Sequence, residues 1–269
     1  METDDAFESA VQHHDALVAE LGLPIWVGSE PTFTDREAQT PAWLHAALGD
    51  DKELRARALL GTLSGLMPGG LVLRSVGRLY PGEKLPRWNL GLLRRRDGDP
   101  LWNGPPDPLL AAEPGSAGPP AFAAFASALS EAFASQHWAC ECVEGAKGED
   151  ADTEAADDAP AWTVSVTADP DAEPLQFVLR AYEDPAEPDA DRAPCATIEL
   201  PEIARVELLL AALPCIERAA RACGLPALVF VGTTPPVDAT LELTTVTPDP
   251  AVIEINSAPS RNCAEFLWR

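Results

Sequence analysis

The sequence is poor in basic residues. Only 19 lysines and arginines stand against 43 aspartates and glutamates in 269 residues, which gives a formal net charge of −24. A protein that binds nucleic acid through the phosphates needs a basic surface that displaces counterions, and docking on an anionic membrane needs one as well. The charge therefore argues against nucleic acid and membrane as partners.

Long apolar runs and familiar motifs are also missing. No run reaches the ~18 apolar residues that a membrane-spanning helix needs, and the acidic start METDDAFESAV is unlike a secretory leader. We therefore expect a soluble, cytoplasmic protein. The sequence has no G-x-G-x-x-G, P-loop, G-x-S-x-G or H-E-x-x-H motif, so it predicts no Rossmann, P-loop, serine-hydrolase or zincin site.

Few residues have the spacing of a metal site. The six cysteines form no C-x-x-C pair and no zinc spacing, so we expect reduced thiols. His13 and His14 lie in a helix predicted over residues 5–21. Neighbouring residues of a helix point about 100° apart, so these two histidines are not expected to bind one ion together.

The chain does have the length and the apolar content to form a core. Its hydrophobic content is 46 %, and strand and helix patterns alternate in mixed order before a C-terminal hairpin, TLELTTV–TPDP–AVIEIN. This order predicts an α+β fold in a single domain over residues 1–269. Segments rich in proline or acidic residues predict loops near 103–120, 144–160 and 184–194.

The stretch IWVGSEPTF, residues 25–33, begins as an apolar strand and breaks at Gly28 and Pro31. Strand alternation places Trp26, Gly28, Glu30 and Thr32 on one face. A lone glutamate beside a glycine is either a metal or substrate ligand or an exposed residue at a turn. The local sequence favours the exposed turn residue.

A second strand, VIEIN at 252–256, places Glu254 and Asn256 on one face and its two isoleucines on the other. Polar residues side by side on an apolar strand indicate either a site or a solvated face. Glu242 lies on the partner strand, and its facing is open by one register step. Five arginines cluster in residues 76–102, where anion binding and the balancing of nearby acids are equally good interpretations. They are Arg78, Arg87, Arg94, Arg95 and Arg96.

Four motifs resemble a bacterial amidoligase family in which they occur in the same order. They are IWVGSEPTFTD at 25–35, GRLYPGEKLPRW at 77–88, RRDGDPLW at 95–102 and TPDPAVIEIN at 247–256. The resemblance extends from about residue 17 to residue 256. The family is often fused behind a transglutaminase-like domain and is assigned to the carboxylate–amine ligases. The resemblance implies a glutamine-synthetase-like antiparallel sheet with helices packed on one face.

The resemblance also implies a reaction and roles for particular residues. A carboxylate would attack the γ-phosphate of ATP in the presence of Mg²⁺, and an amine would displace phosphate from the acyl phosphate to form an amide. The substrates would be small-molecule or peptide carboxylates and amines, and a transglutaminase-like protein would be a partner. Glu30 and Glu254 would be catalytic and would bind the metal with Glu242. The implied substrate-binding or nucleotide-binding residues are Arg78, Glu83, Arg87 and Asn256.

The chain departs from the family pattern in three ways. Thr32 stands where glutamine synthetase has a second acid, Arg78 stands where lysine is usual, and no histidine follows Glu254 although the family continues through a glycine-rich, histidine-containing segment. We therefore expect a fold that is incomplete at its C-terminus. Two alternatives stay open: a non-catalytic remnant that binds a transglutaminase-like protein, and an unrelated acidic α+β binding module.

Overall fold

A ten-stranded mixed sheet organises the chain. The computed structural model describes residues 2–28, 30–110, 119–145, 161–169, 171–182 and 195–267. The helices of these residues are α1 (Glu2–Glu20), α2 (Pro41–His45), α3 (Asp50–Leu66), α4 (Pro119–Ala134), α5 (Val206–Ala222) and α6 (Cys263–Leu267). The strands are β1 (Thr32–Phe33), β2 (Leu71–Val76), β3 (Trp88–Arg95), β4 (Ala139–Glu144), β5 (Trp162–Thr167), β6 (Leu175–Tyr182), β7 (Cys195–Leu200), β8 (Leu228–Gly232), β9 (Leu241–Asp249) and β10 (Val252–Asn256).

The strand order is β1-β10-β9-β3-β2-β8-β7-β6-β5-β4. Strand β8 runs parallel to both of its neighbours, β2 and β7, whereas the other neighbours are antiparallel. Parallel neighbours need a crossover connection, and α5 supplies it between β7 and β8. The sheet is therefore mixed.

Two apolar clusters cover the sheet from opposite sides. Leu71 and Leu73 belong to the cluster that contains α4 and α5, whereas Val72 between them belongs to the cluster with Ala56 and Leu60 of α3. Successive side chains of a strand point to opposite faces. Helix α3 therefore packs on one face at the β2–β3–β9–β10 end, and α4 with α5 packs on the other face.

The predicted glutamine-synthetase-like antiparallel sheet with helices on one face is wrong. The sheet has parallel pairs at β8, and helices lie on both faces. The central strands give the physical reason. Every residue from Leu71 to Leu73 and from Leu90 to Leu93 is buried. Continuous burial of this kind belongs to a strand that is covered on both sides.

The predicted loops fall largely on segments that the structure leaves out. Residues 111–118, 146–160 and 184–194 lie outside the described residues, while 103–110 form turns and bends and Glu144 ends β4. Within the described residues, no helix has both the length and the apolar character to cross a membrane. The single domain over residues 1–269 stays a prediction.

Candidate active site

A row of polar side chains crosses five strands on the sheet face away from α3. Thr32 of β1 faces Glu254 of β10, and Glu254 faces Thr247 of β9. In β3, Asn89 comes directly before Leu90, which pairs with Val246 of β9. On its other side Asn89 pairs with Ser75 of β2. The Asn89 amide donates a hydrogen bond to the Ser75 hydroxyl at 3.1 Å. We call the five polar residues among these the polar row.

Glu30 lies beside this row. The amide of Ile255 donates to the carbonyl of Pro31 at 2.9 Å, which extends the pairing of β1 with β10 by one residue. The next step of the same register brings Glu30 opposite Asn256, whose amide donates to the Thr247 hydroxyl at 3.2 Å. The two glutamates predicted from separate strands are therefore brought together, and Asn256 is with them.

Like charges meet at Glu254. Burial raises the pKa of its carboxyl, and the nearby carboxylates of Asp249 and Glu30 raise it further, while the guanidinium of Arg87 acts in the opposite direction. Asp249 faces Val252 across the hairpin, so it points to the same side as Glu254. Glu254 therefore experiences repulsion from two other carboxylates, Asp249 and Glu30.

Arg87 is held by two acids at the edge of this site. Its guanidinium donates to Glu83 at 2.9 and 3.0 Å, to Asp249, and to the carbonyl of Pro248 at 3.1 Å. It also lies 4.0 Å from the centre of the Tyr80 ring. Hydrogen bonding from Arg87 lowers the pKa of the Glu83 carboxyl. The predicted ligands Glu83 and Arg87 are therefore bonded to each other, and Arg87 also positions Asp249.

The tip of the β9–β10 hairpin is fixed by α2 and α3. Lys52 of α3 is 2 % exposed, and its ammonium donates to the carbonyls of Trp43, Ala46 and Asp249. The hydroxyl of Thr34 donates to the carbonyl of Ala251 at 2.7 Å. These contacts hold the strand ends that carry Asp249 and Glu254.

The described geometry can be compared with known proteins. A family model described as "Putative amidoligase enzyme (DUF2126)" matches residues 3–169 and 190–268, which is most of the chain. The chain belongs to this family. No curated protein and no solved structure matches it. Membership confirms the resemblance to amidoligases and supports a ligase function, whereas dependence on ATP and Mg²⁺ and an association with a transglutaminase-like protein stay predictions.

In this amidoligase-family chain, Glu242 does not join the other glutamates. It lies an odd number of residues before Thr247 on β9, so its side chain points to the opposite face of the sheet. It is 2 % exposed and pairs with Arg94 and with Arg96 at 3.4 Å. Its contacts are those of a buried structural ion-pair network.

The cluster of arginines is divided by the fold. Arg94 and Arg96 balance Glu242, and Arg95 pairs with Asp97, so the balancing interpretation describes these three. Arg78 is different, because its side chain is exposed in the connection between β2 and β3. Its carbonyl accepts the Arg87 amide at 3.1 Å, which places Arg78 next to the residue that holds Asp249.

Sequence reasoning missed Asp249, Asn89 and Lys52. Asp249 stands in the TPDP segment that was interpreted as the turn itself, yet it is the last residue of β9. Asn89 follows a dense run of proline and glycine and carries no motif. Lys52 gives no local signal, because its partners lie as far as 197 residues away in the chain. The available signal was strand alternation, which would have marked Asp249 once the turn was placed correctly.

Proposed function

We propose that this chain is an ATP- and Mg²⁺-dependent carboxylate–amine ligase whose active site is the polar row together with Glu30 and Asp249. The observation that carries the proposal is that Glu254 lies between Glu30 and Asp249 on one sheet face, where burial and then these two carboxylates raise its pKa. The family description supports the ligase class. The arrangement of carboxylates supports the cation.

The donor set suits Mg²⁺. Magnesium prefers oxygen ligands, keeps several waters and is commonly held by one or two carboxylates together with substrate phosphates. Glu254 and Glu30 would hold it, and hydroxyl oxygens of Thr32 and Thr247 lie on the same face. A divalent cation would also offset the repulsion among the carboxylates. When bound, it would neutralise charge on the transferring phosphoryl group.

The remaining residues have roles in binding and positioning. The side chain of Arg78 is exposed and free to approach phosphate oxygens, whereas Arg87 is occupied by Glu83 and Asp249 and positions the latter. The side-chain oxygen of Asn89 is buried and accepts no hydrogen bond from the described residues. Asn89 therefore keeps one unused acceptor within the polar row, next to the hydrogen bond that it donates to Ser75.

In the proposed reaction, an oxygen of the substrate carboxylate attacks the γ-phosphorus of ATP and ADP leaves, which gives an acyl phosphate. The amine nitrogen then attacks the acyl carbon, phosphate departs with the carbon–oxygen electron pair, and the amine proton passes to solvent. The negative face favours an amine that arrives as an ammonium ion. The ammonium ion loses one proton to solvent before its nitrogen attacks. The substrates are small-molecule or peptide carboxylates and amines, and a transglutaminase-like partner stays a prediction.

Calorimetric titration of the full chain with ATP in the presence of Mg²⁺ tests the proposal. We expect saturable binding that depends on Mg²⁺ and weakens at least about tenfold in Glu30→Gln and in Glu254→Gln, because each variant removes one charged oxygen ligand. Glu141→Gln is the matched control. Glu141 is an exposed glutamate on β4, at the opposite edge of the sheet.

Two results would contradict the proposal. The first is that the chain binds no ATP with Mg²⁺. The second is that Glu254→Gln binds as tightly as the wild type while Glu141→Gln is equally unaffected, because the carboxylates would then have no part in binding. Release of phosphate from ATP in the presence of mixed carboxylates and amines separates a ligase from a protein that only binds the nucleotide.

A further inference from the structure

Three potential metal ligands from the two ends of the chain meet between α1 and α6. His14 and Asp15 lie on α1, and Cys263 begins α6. The His14 Nδ1 atom is 3.1 Å from a carboxylate oxygen of Asp15 and 3.6 Å from the Cys263 sulfur. One atom from each residue lies within 4.8 Å of the others. The cluster is separate from the polar row, and the proposed ligase reaction does not use it.

Two of the three donor–donor distances are close to those of a tetrahedral zinc site. Zn–N bonds of about 2.05 Å and a Zn–S bond of about 2.3 Å place tetrahedral nitrogen and sulfur ligands about 3.6 Å apart, and nitrogen and oxygen about 3.3 Å apart. The observed separations of 3.6 and 3.1 Å are close to these edges. The His14 nitrogen therefore lies near the spacing of one bound ion from both other donors, and all three donor atoms lie within 4.8 Å of one another.

Hydrogen bonds of this cluster converge on Asp15, whose carboxylate is bonded to the His14 Nδ1 atom and to the Cys263 thiol. A neutral imidazole nitrogen carries either one proton or one lone pair. If Nδ1 of His14 donates to Asp15, it cannot accept the Cys263 thiol proton, and the reverse also holds. Asp15 separately accepts the amides of Cys263 and Ala264 at 3.1 and 3.0 Å. These bonds fix Asp15 against the start of α6, and they bring the imidazole nitrogen and the sulfur to 3.6 Å from each other on the same carboxylate.

The chemistry of the donors selects the ion. Thiolate and imidazole favour Zn²⁺ over Mg²⁺, which prefers oxygen ligands. The Asp15 carboxylate supplies a third, oxygen donor beside them. Neutral imidazole, carboxylate and thiolate together carry two negative charges, which balance one divalent cation.

We propose that His14, Asp15 and Cys263 bind a Zn²⁺-type cation, with water as the fourth ligand, and that the ion fastens α1 to α6. Binding replaces the S–H bond of Cys263 by a Zn–S bond and releases one proton to solvent. No electron transfer is involved. Helix α1 leaves apolar residues such as Phe7 and Leu17 exposed, so it buries little apolar surface of its own. A metal link to α6 would therefore add to the stability of α1.

The test compares matched variants of the full chain in their binding of Zn²⁺ and Co²⁺. We expect the thermal midpoint to rise with Zn²⁺ and to return with EDTA, since a ligand of the folded state stabilises it by mass action. Co²⁺ should give a thiolate-to-metal charge-transfer absorption. Cys263→Ser and His14→Gln should each weaken binding at least about tenfold and lose the absorption or the midpoint shift.

The controls use neighbours of the same chemical type. His13→Gln changes the adjacent histidine of α1, and Cys142→Ser removes an exposed thiol on β4. Both should bind as the wild type does, and excess Mg²⁺ should not displace Zn²⁺. The proposal is overturned if the chain binds neither ion, if Cys263→Ser keeps the charge-transfer band, or if the two controls lose binding to the same extent as the ligand variants.

Discussion

Replacing Lys52 by methionine tests how the hairpin that carries Asp249 and Glu254 is held. The Lys52 ammonium donates to the carbonyls of Trp43 at 3.3 Å, Ala46 at 2.8 Å and Asp249 at 2.7 Å. Methionine has a similar length and keeps the apolar stem packed, but it has no donor. The substitution therefore removes these three hydrogen bonds with little change in volume.

The expected cost follows from the contacts of Lys52. A carbonyl that loses a charged donor costs about 1 kcal/mol or somewhat more, so three carbonyls give about 3–4 kcal/mol. The ammonium also lies 5.0 Å from the centre of the Trp43 ring, and this contact contributes about 0.5–1 kcal/mol. Burial lowers the pKa of Lys52, and removal of the desolvated charge offsets part of the loss. We expect Lys52→Met to lower the free energy of unfolding by about 3 kcal/mol, which is a large part of a typical 5–15 kcal/mol.

Urea unfolding at pH 7 measures this change, with Lys84→Met as the control. Lys84 is exposed in the connection between β2 and β3, so its replacement should change stability by less than about 0.5 kcal/mol. Hydrogen exchange of the Ala251 amide, which donates to the Trp43 carbonyl at 2.9 Å, should become faster in Lys52→Met alone. If the two variants unfold within about 1 kcal/mol of each other, the ammonium does not hold the hairpin.

Three further predictions concern the pH dependence of stability at Glu254, the buried charge of Asp107 and the close approach of the backbone to Gly77. Folding raises the pKa of Glu254, so the protonated carboxyl stabilises the protein below the unfolded pKa, and this stability is lost as pH rises through the folded pKa. Glutamine resembles the protonated form. Glu254→Gln should therefore increase the free energy of chemical unfolding more at pH 8 than at pH 4. Asp107→Asn should lower the free energy of unfolding by about 3–5 kcal/mol, because it breaks the buried ion pair with Arg74. The Asp107 side chain in this pair is only 4 % exposed. Gly77→Ala should destabilise by about 1–3 kcal/mol because the new Cβ would lie 2.8 Å from a backbone oxygen, whereas Gly61→Ala in α3, where the Cβ meets open space, should stabilise by about 0.5–1 kcal/mol.

Local alternation was enough to place one face of the site. In VIEIN the isoleucines alternate with Glu254 and Asn256, and the isoleucines do enter the cluster with α3. Because period-2 alternation is a property of a single strand, it needed no knowledge of the partners. The sequence thus predicted which side chains of β10 share a face, and the structure agrees.

Register and long-range contacts were beyond the sequence. Pro248 and Pro250 both indicate a turn, but Pro248 is a buried residue of β9 and only Pro250 lies in the turn. The position of the turn decides the side of the sheet to which Glu242 points, because a shift of one residue moves a side chain to the other face. The bond between Arg87 and Asp249 spans 162 residues, and no local pattern reports it.

The polar face stays negative because the two cationic side chains nearest to it bind other groups. Arg87 and Lys52 both act electrostatically on Asp249, yet Arg87 divides its donors between Glu83 and Asp249 and Lys52 directs its ammonium at backbone carbonyls. Neither is available to pair with Glu254. The two nearby cations therefore fix the loop and the hairpin, and the repulsion at Glu254 remains. Protonation of Glu254 would relieve it, and so would the Mg²⁺ ion of the proposed function.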